Sequence, residues 1–252
     1  MKAERKKLAN LSENDYYHIV YLNRQGDILY KACIFDLDGT LANTLNSIAF
    51  FANSALEKCG HNTIETSKYR FLVGNGADLL MHRMLNTACG EGNYSEDDVQ
   101  KLRKTYDALY ESDPTHIVTN YDGMQELIRE LRQAGIKLAV LSNKPHNCTE
   151  AVVEALFAPG TFDACYGQRP EVARKPSPQG ALLIAKELGV KPEDCLYIGD
   201  TDTDMKTGAA AGMDTVGVLW GFRPRQELEE NHAKYIVETP KEIKDILMCG
   251  VR

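Results

Sequence analysis

Two aspartates, Asp36 and Asp38, follow a short apolar run and stand two residues apart. Residues 31–35 have the composition of a short buried strand, and Asp-Gly at 38–39 begins a polar turn. Side chains at i and i+2 of an extended segment point to the same side, so both carboxylates can face one small volume. Two carboxylates at such a short separation repel each other unless they share a proton or a cation. The pair indicates proton transfer or metal binding, although an ordinary Asp-Gly turn also fits these residues taken alone.

Three later apolar runs are also followed by polar residues that could take part in catalysis or ligand binding. Ser142 ends the run that begins at Lys137, Lys175 lies in the loop after a short run near 164–166, and Asp200 follows the run 195–199. The carboxyl ends of parallel strands lie at one edge of a sheet, which is where ligands bind in open α/β folds. Each residue alone has an ordinary explanation as a turn or a solvated side chain. Their joint order favours one convergent site.

The elements that must position these residues follow an α/β order. Residues 45–112 contain three runs with apolar residues at helical spacing and no strand, whereas helices and strands alternate from residue 117 onward. Repeated β-α-β units predict an α/β fold with a Rossmann-like parallel sheet and helices on both faces. We expect a core domain of residues 31–44 plus 113–252, interrupted by a helical unit at 45–112. Residues 1–30 form an extension of unknown role, in which 18–22 could be an extra strand.

The composition is typical of a soluble globular protein, with 26% charged and 43% apolar residues. A net charge of −7 argues against nucleic acid or an anionic membrane as a partner. The seven cysteines include no Cys-x-x-Cys pair, so we expect reduced thiols and a cytoplasmic protein rather than disulfides or a zinc site. No apolar run approaches the 18 or so residues that a transmembrane helix needs.

The polar residues, taken in chain order, resemble the motifs of the haloacid dehalogenase superfamily. Its Asp-x-Asp-x-Thr motif matches residues 36–40, its Ser or Thr matches Ser142, its Lys matches Lys175, and its Gly-Asp-x-x-x-Asp motif matches residues 199–204. The resemblance covers about residues 31–248. It implies that the helical insert is an α-helical cap domain.

Two further stretches are similar to phosphoglycolate phosphatases within that superfamily. They are residues 73–83, in the expected cap, and residues 217–223, near the end of the chain. Related pyrophosphatases and sugar phosphatases share similar runs. The resemblance therefore implies a phosphatase for a small phosphorylated metabolite, first 2-phosphoglycolate, with pyrophosphate and sugar phosphates as alternatives. A binding protein built on an inactive phosphatase fold is disfavoured because the motif residues are all present.

The resemblance also implies a role for each motif residue. Asp36 would attack phosphorus and carry an aspartyl phosphate. Asp38, held by Thr40, would act as general acid and then as general base. Ser142 would bind the phosphoryl oxygens and Lys175 would neutralise charge.

The cofactor and the substrate contacts complete this expectation. Oxygen-only ligands suit Mg²⁺, which the Asp36 and Asp200 carboxylates and the Asp38 backbone carbonyl would bind, with Asp204 orienting these ligands from outside. The candidate substrate-binding residues are Asn143, Gly74, Gly76 and Arg83. Arg83 and the nearby Arg70 could pair with a substrate carboxylate, and for both a solvated helix face fits equally well. We expect a monomer or a homodimer.

Overall fold

The computed structural model describes residues 30–249. Eight strands are present in that range: β1 (Ala32–Phe35), β2 (Ala42–Asn43), β3 (Thr119–Asn120), β4 (Lys137–Pro145), β5 (Ala164–Gln168), β6 (Cys195–Gly199), β7 (Asp214–Val218) and β8 (Tyr235–Val237). The extra strand expected at residues 18–22 lies outside the described residues.

Ten α-helices connect these strands within the described range. They are α1 (Leu45–Cys59), α2 (Tyr69–Leu72), α3 (Ala77–Cys89), α4 (Glu96–Ser112), α5 (Met124–Gln133), α6 (His146–Leu156), α7 (Gln179–Leu188), α8 (Asp202–Ala210), α9 (Arg225–Glu230) and α10 (Pro240–Cys249). Two short 3₁₀ helices, Thr66–Lys68 and Pro192–Asp194, complete the secondary structure of this range.

Six of the strands form one parallel sheet in the order β5-β4-β1-β6-β7-β8. β1 lies at its centre, paired with β4 on one side and β6 on the other, and all four of its residues are buried. Apolar clusters cover both faces of the sheet, as its continuous apolar strands require. The strand order reverses direction at β1, so the carboxyl end of β1 lies beside the crevice where such sheets bind ligands. The predicted α/β fold is confirmed.

The helices α1 to α4 form the inserted unit, which we call the cap. They share an apolar cluster that includes Ala52, Leu56, Met84 and Leu102 and extends onto the core at Phe222. Helix α4 begins with a capping box, in which Ser95 and Asp98 exchange side-chain and backbone bonds. The cap therefore has its own apolar centre and also packs against the sheet domain.

The structure adds features that hydrophobic periodicity did not predict. The two chain crossings between core and cap pair with each other as a small two-stranded antiparallel sheet of β2 and β3. Strand β4 continues to Pro145, beyond the expected end at Ser142. The short helices α2 and α9 were not predicted either. Their lengths, four and six residues, are too short to give a clear helical period.

The described residues also bear on two features that the sequence analysis did not expect, a transmembrane helix and disulfide bonds. Within residues 30–249 no helix combines the length and the apolar character that crossing a bilayer requires. The six cysteines for which the structure describes side chains are all free thiols.

Candidate active site

Asp36 is the first residue after the central strand β1. Its backbone N–H donates to Ile198 O of β6 at 2.9 Å, which continues the sheet pairing for one more residue. Its carboxylate accepts a bond from its neighbour's backbone, Leu37 N to Asp36 Oδ1, at 2.7 Å. The same oxygen lies 2.8 Å from Lys175 Nζ. The buried Asp36 carboxylate is thus fixed at the edge of the sheet.

Lys175 joins two carboxylates from different strand ends. Its ammonium nitrogen lies 2.8 Å from Asp36 Oδ1 and 2.8 Å from Asp204 Oδ1. Burial alone would lower the pKa of Lys175, but the Asp204 and Asp36 carboxylates raise it well above its ordinary value. The lysine is therefore a permanent cation in this site.

Asn143 holds the backbone of Lys175. Its side-chain Nδ2 donates to Lys175 O at 3.1 Å, and its Oδ1 accepts from Lys175 N at 2.9 Å. Asn143 lines the pocket above Asp36, as expected for a substrate-binding residue, but both ends of its amide are engaged in this pairing. The geometry gives Asn143 a positioning role toward Lys175.

Asp200 lies in a cradle of backbone and hydroxyl donors. Thr40 Oγ1 donates to its Oδ1 at 3.1 Å, and Phe222 N donates to its Oδ2 at 2.7 Å. A Cβ at Gly39, whose φ is +86°, or at Gly221 would collide with the Asp200 carboxylate. Thr40 was expected to hold Asp38, but the structure directs its hydroxyl to Asp200, because Asp200 and the turn at 38–40 are in direct contact.

Asp204 is the third carboxylate of this group. Its Oδ1 faces Lys175, and its Oδ2 accepts bonds from Thr201 N at 3.1 Å and Thr201 Oγ1 at 2.7 Å. The bond from Thr201 N belongs to the capping box of α8, so the helix start fixes the carboxylate. With both oxygens engaged, Asp204 stands beside the Asp36–Asp200 pair as an orienting group.

The three carboxylates together have the character of a cation site. Asp36, Asp200 and Asp204 are buried, and one oxygen of each lies within 4.8 Å of the others. Burial and then the Asp204 charge raise the pKa of Asp36 to about 7, against the opposing effect of Lys175. Burial, and then the Asp204 and Asp36 charges, raise the pKa of Asp200 well above its usual range. The negative charge thus exceeds what Lys175 compensates, and an oxygen-binding divalent metal ion fits the site.

Asp38 pairs with a lysine that sequence reasoning did not select. Lys144 Nζ lies 2.9 Å from Asp38 Oδ1 and donates to Tyr110 Oη at 2.7 Å. Burial would lower the pKa of Lys144, but Asp38 and Tyr110 raise it above its ordinary value. The available signal was its position: Lys144 comes two residues after Ser142, and both line the pocket from the part of β4 that continues beyond the expected strand end.

A pocket between core and cap lies above these residues. Ser142, which is buried, lines it from the core; its hydroxyl accepts the backbone N–H of Lys144 at 3.2 Å. The expected residues Gly74 and Gly76 line it from the cap. The apolar and aromatic cap side chains at this pocket are Ile48, Val73, Ala77, Leu80, Tyr106 and Tyr110, and its acidic cap residues are Asp107 and Glu111.

Arg83 does not line this pocket, which differs from its expected role in substrate binding. Its Nη1 donates to Leu72 O at 2.8 Å, so it binds the C-terminal end of α2. Arg70 is also directed elsewhere, with Nε donating to Phe222 O at 2.8 Å. Both residues are half-buried, and each guanidinium group donates to a backbone carbonyl, Arg83 within the cap and Arg70 to the core.

The cap is closed over the core in this structure. Asn75 Nδ2 donates to Thr203 Oγ1 at 2.6 Å, and Arg223 Nη2 donates to Val73 O at 2.8 Å. At the rim, Asp78 at the start of α3 forms an ion pair with Arg174, the residue before Lys175. Residues 73–78 of the cap therefore contact the loop that carries Lys175 and the start of α8, which carries Asp204.

Comparison with known proteins gives consistent matches over most of the chain. The model of the haloacid dehalogenase-like hydrolase family matches residues 33–218. The phosphoglycolate phosphatase of Mannheimia succiniciproducens is 29% identical over 83% of this chain and 94% of its own. That of Aquifex aeolicus is 30% identical over 76% and 86%. The solved structure of a predicted phosphoglycolate phosphatase from Haemophilus somnus superposes with a TM-score of 0.80, at 27% identity, over 88% of this chain and 99% of that one.

Proposed function

Because this chain belongs to the haloacid dehalogenase-like hydrolase family, we propose that it is a Mg²⁺-dependent phosphatase of a small phosphorylated metabolite, with 2-phosphoglycolate as the first candidate. One observation carries the proposal: a buried carboxylate, Asp36, contacts a buried lysine and has an oxygen within 4.8 Å of those of two further buried carboxylates, beneath a closed cap. Such a group needs an anionic substrate and a metal ion to balance its charges.

Asp36 is the proposed nucleophile. Its carboxylate attacks phosphorus and forms an aspartyl phosphate, which divides one difficult displacement into two easier steps. The ion pair with Lys175 holds the attacking oxygen in place and neutralises charge on the transferring group. The Ser142 hydroxyl, buried on the adjacent strand β4, binds a phosphoryl oxygen.

Asp38 is the proposed general acid and base. It donates a proton to the leaving oxygen, and as a carboxylate it then takes a proton from the water that hydrolyses the aspartyl phosphate. It stands two residues from Asp36 and lines the same pocket, so one group is placed to serve both steps. The closed cap excludes bulk water while the first step proceeds.

Asp36, Asp200 and the Asp38 backbone carbonyl are the proposed ligands of Mg²⁺, and Asp204 orients the group from beside it. All of these donors are oxygens, which favours Mg²⁺ over zinc. When bound, the ion supplies positive charge that stabilises the phosphoryl group during transfer. It also compensates the carboxylate charge that Lys175 leaves unbalanced.

The names of the relatives support phosphoglycolate as the first substrate to test. The cap lines the pocket with apolar and aromatic side chains, two glycines and the acidic residues Asp107 and Glu111. Pyrophosphate and sugar phosphates are the alternatives within the same chemistry. A cytoplasmic monomer or homodimer completes the proposal, and the free cysteines of the described residues support that location.

A substrate panel tests the proposal directly. Phosphate release would be measured from 2-phosphoglycolate, pyrophosphate, several sugar phosphates and 4-nitrophenyl phosphate, each with Mg²⁺ and with a chelator. We expect metal-dependent release with phosphoglycolate giving the highest kcat/KM. A higher kcat/KM for pyrophosphate or a sugar phosphate would replace the substrate and keep the chemistry. A folded protein that releases phosphate from none of them would contradict the phosphatase assignment.

A further inference from the structure

Lys144 is a buried cation that the proposed chemistry leaves without a role. Its side chain is 4% exposed, and it lies two residues beyond Ser142 on the extended end of β4. Its ammonium group has two polar contacts, the Asp38 carboxylate at 2.9 Å and the Tyr110 hydroxyl at 2.7 Å. A buried charge is retained at considerable desolvation cost, so this placement needs an explanation.

Tyr110 belongs to the cap, on helix α4, whereas Lys144 and Asp38 belong to the core. The Tyr110 ring is held by its cap neighbours: it stacks on Tyr106 at 5.4 Å and meets Phe51 edge-on at 5.3 Å. The Lys144 ammonium also lies 4.6 Å from the centre of the Tyr110 ring. The position of Tyr110, and with it the second contact of Lys144, is therefore set by the cap.

We propose that Lys144 and Tyr110 are positioning residues through which cap closure places the Asp38 carboxyl group against the leaving oxygen. This inference rests on the proposed phosphatase function, in which Asp38 is the general acid. With the cap closed, Tyr110 directs the Lys144 ammonium, and the ammonium fixes Asp38 Oδ1. With the cap open, Lys144 loses Tyr110, and water competes for its ammonium group.

The arrangement links proton transfer to the exclusion of water. Asp38 stands on a turn, and its side chain is 19% exposed, so the turn alone does not fix its carboxyl group. The three side chains line the same pocket, where the leaving group of a substrate must lie. An acid aligned only under a closed cap acts when the site is shielded, which is when such proton transfer is most effective.

The substitution Tyr110→Phe tests the inference because it removes one hydroxyl and keeps the ring. We would measure kcat/KM with Mg²⁺ for two substrates: the alkyl phosphate that leads the panel and 4-nitrophenyl phosphate. An alkoxide needs a proton to leave, whereas nitrophenolate leaves without one. A general acid contributes about 10²–10⁴-fold, so partial misplacement of Asp38 should cost the alkyl substrate about tenfold. We expect the aryl substrate to change less than twofold.

Two further variants separate this role from a structural one. Tyr106→Phe removes a neighbouring hydroxyl from the same helix while Tyr110 keeps its bond to Lys144, and we expect it to change both substrates by the same factor. Lys144→Met should reproduce the selective loss for the alkyl substrate, about 100-fold, in protein confirmed to be folded by circular dichroism.

Equal effects of Tyr110→Phe on the two substrates, or no effect on either, would overturn the inference. A selective loss from Lys144→Met without one from Tyr110→Phe would also overturn it, because the link to the cap would then be absent. Failure of the proposed function gives a different result, namely no metal-dependent phosphate release by the unmodified protein.

Discussion

The carboxyl edge of the core sheet, here called the core edge, and the cap contribute to the pocket in different ways. At the core edge, charged side chains contact one another directly, as Lys175 does with Asp36 and Asp204. The cap offers mainly apolar and aromatic side chains and the backbone at Gly74 and Gly76. The difference indicates that the reaction depends on the core and the choice of substrate on the cap. Core variants should then reduce turnover of every substrate. Cap variants should change the preference among substrates or the closure of the cap over the core.

The largest effect is expected at Asp36. In Asp36→Asn the side chain keeps its shape but loses its nucleophilic carboxylate, so no aspartyl phosphate can form. We expect turnover to fall at least ~10⁴-fold for every substrate of the panel, since the covalent pathway is removed. Steady-state phosphate release measures this, and circular dichroism checks the fold.

Asp202→Asn is the matched control for that substitution. Asp202 lies in the same acidic stretch as Asp200 and Asp204, but its carboxylate pairs with Lys206, one turn along α8. We expect activity close to that of the unmodified protein. Substantial turnover by Asp36→Asn would disprove the nucleophile assignment and remove the clearest distinction between core and cap.

A second prediction concerns stability and pH at the same residue. Burial and the Asp204 charge raise the pKa of Asp36 from 3.8 to about 7. A raised carboxyl pKa contributes stability below the unfolded-state value and loses it as the pH rises through the folded-state value. The metal-free protein should therefore lose stability from Asp36 between about pH 4 and pH 7, by up to about 4 kcal/mol.

Thermal unfolding in the presence of chelator measures this effect. We expect Asp36→Asn to have a higher Tm than the unmodified protein at pH 8 and a similar Tm near pH 4.5, where Asp36 is protonated. Added Mg²⁺ should raise the Tm of the unmodified protein more at pH 8 than at pH 4.5, because the ion competes with protons. A lower Tm for Asp36→Asn at pH 8 would mean that the ion pair with Lys175 outweighs the cost of burial.

The core edge was also the part that could be predicted from the sequence. Asp36 and Asp200 each follow a short apolar strand, Ser142 lies on another, and parallel pairing brings the carboxyl ends of such strands together. Lys144, two residues after Ser142 on β4, could have been selected from its position in the same stretch. The bond from Thr40 to Asp200 could not be predicted, because it depends on how closely Gly39 lets the turn approach another strand end.

The sequence predicted the helices of the cap but not the contacts that the cap makes with the core. Helical spacing gave α1, α3 and α4, whose apolar faces pack together. The spacing does not say how far the helical unit rotates over the core, so the partners of Tyr110 and Asp78 were not predictable. The two-stranded sheet of β2 and β3 was missed because two residues per strand are too few to show a period of two.

The smallest effect is expected at Arg83, a cap residue that does not line the pocket. Its type and location suggested a contact with a substrate carboxylate, whereas its guanidinium group donates to Leu72 O and lies outside the pocket. Burial and the nearby Arg223 lower its pKa, which fits a group enclosed within the cap fold. The bond to Leu72 is expected to stabilise the C-terminal end of α2 by about 1–2 kcal/mol.

Arg83→Ala should consequently act on closure rather than on recognition. We expect KM to rise by at most about threefold, and equally for 2-phosphoglycolate and for 4-nitrophenyl phosphate. A tenfold change in affinity corresponds to about 1.4 kcal/mol, and only part of the free energy of the lost hydrogen bond is expected to affect substrate binding. Arg129→Ala, at an exposed position on α5 paired with Glu126, is the control and should leave both KM values unchanged. A rise of tenfold or more confined to phosphoglycolate would instead mean that Arg83 reaches the substrate carboxylate in another position of the cap. Substrate choice would then depend on cap movement as well as on the closed pocket.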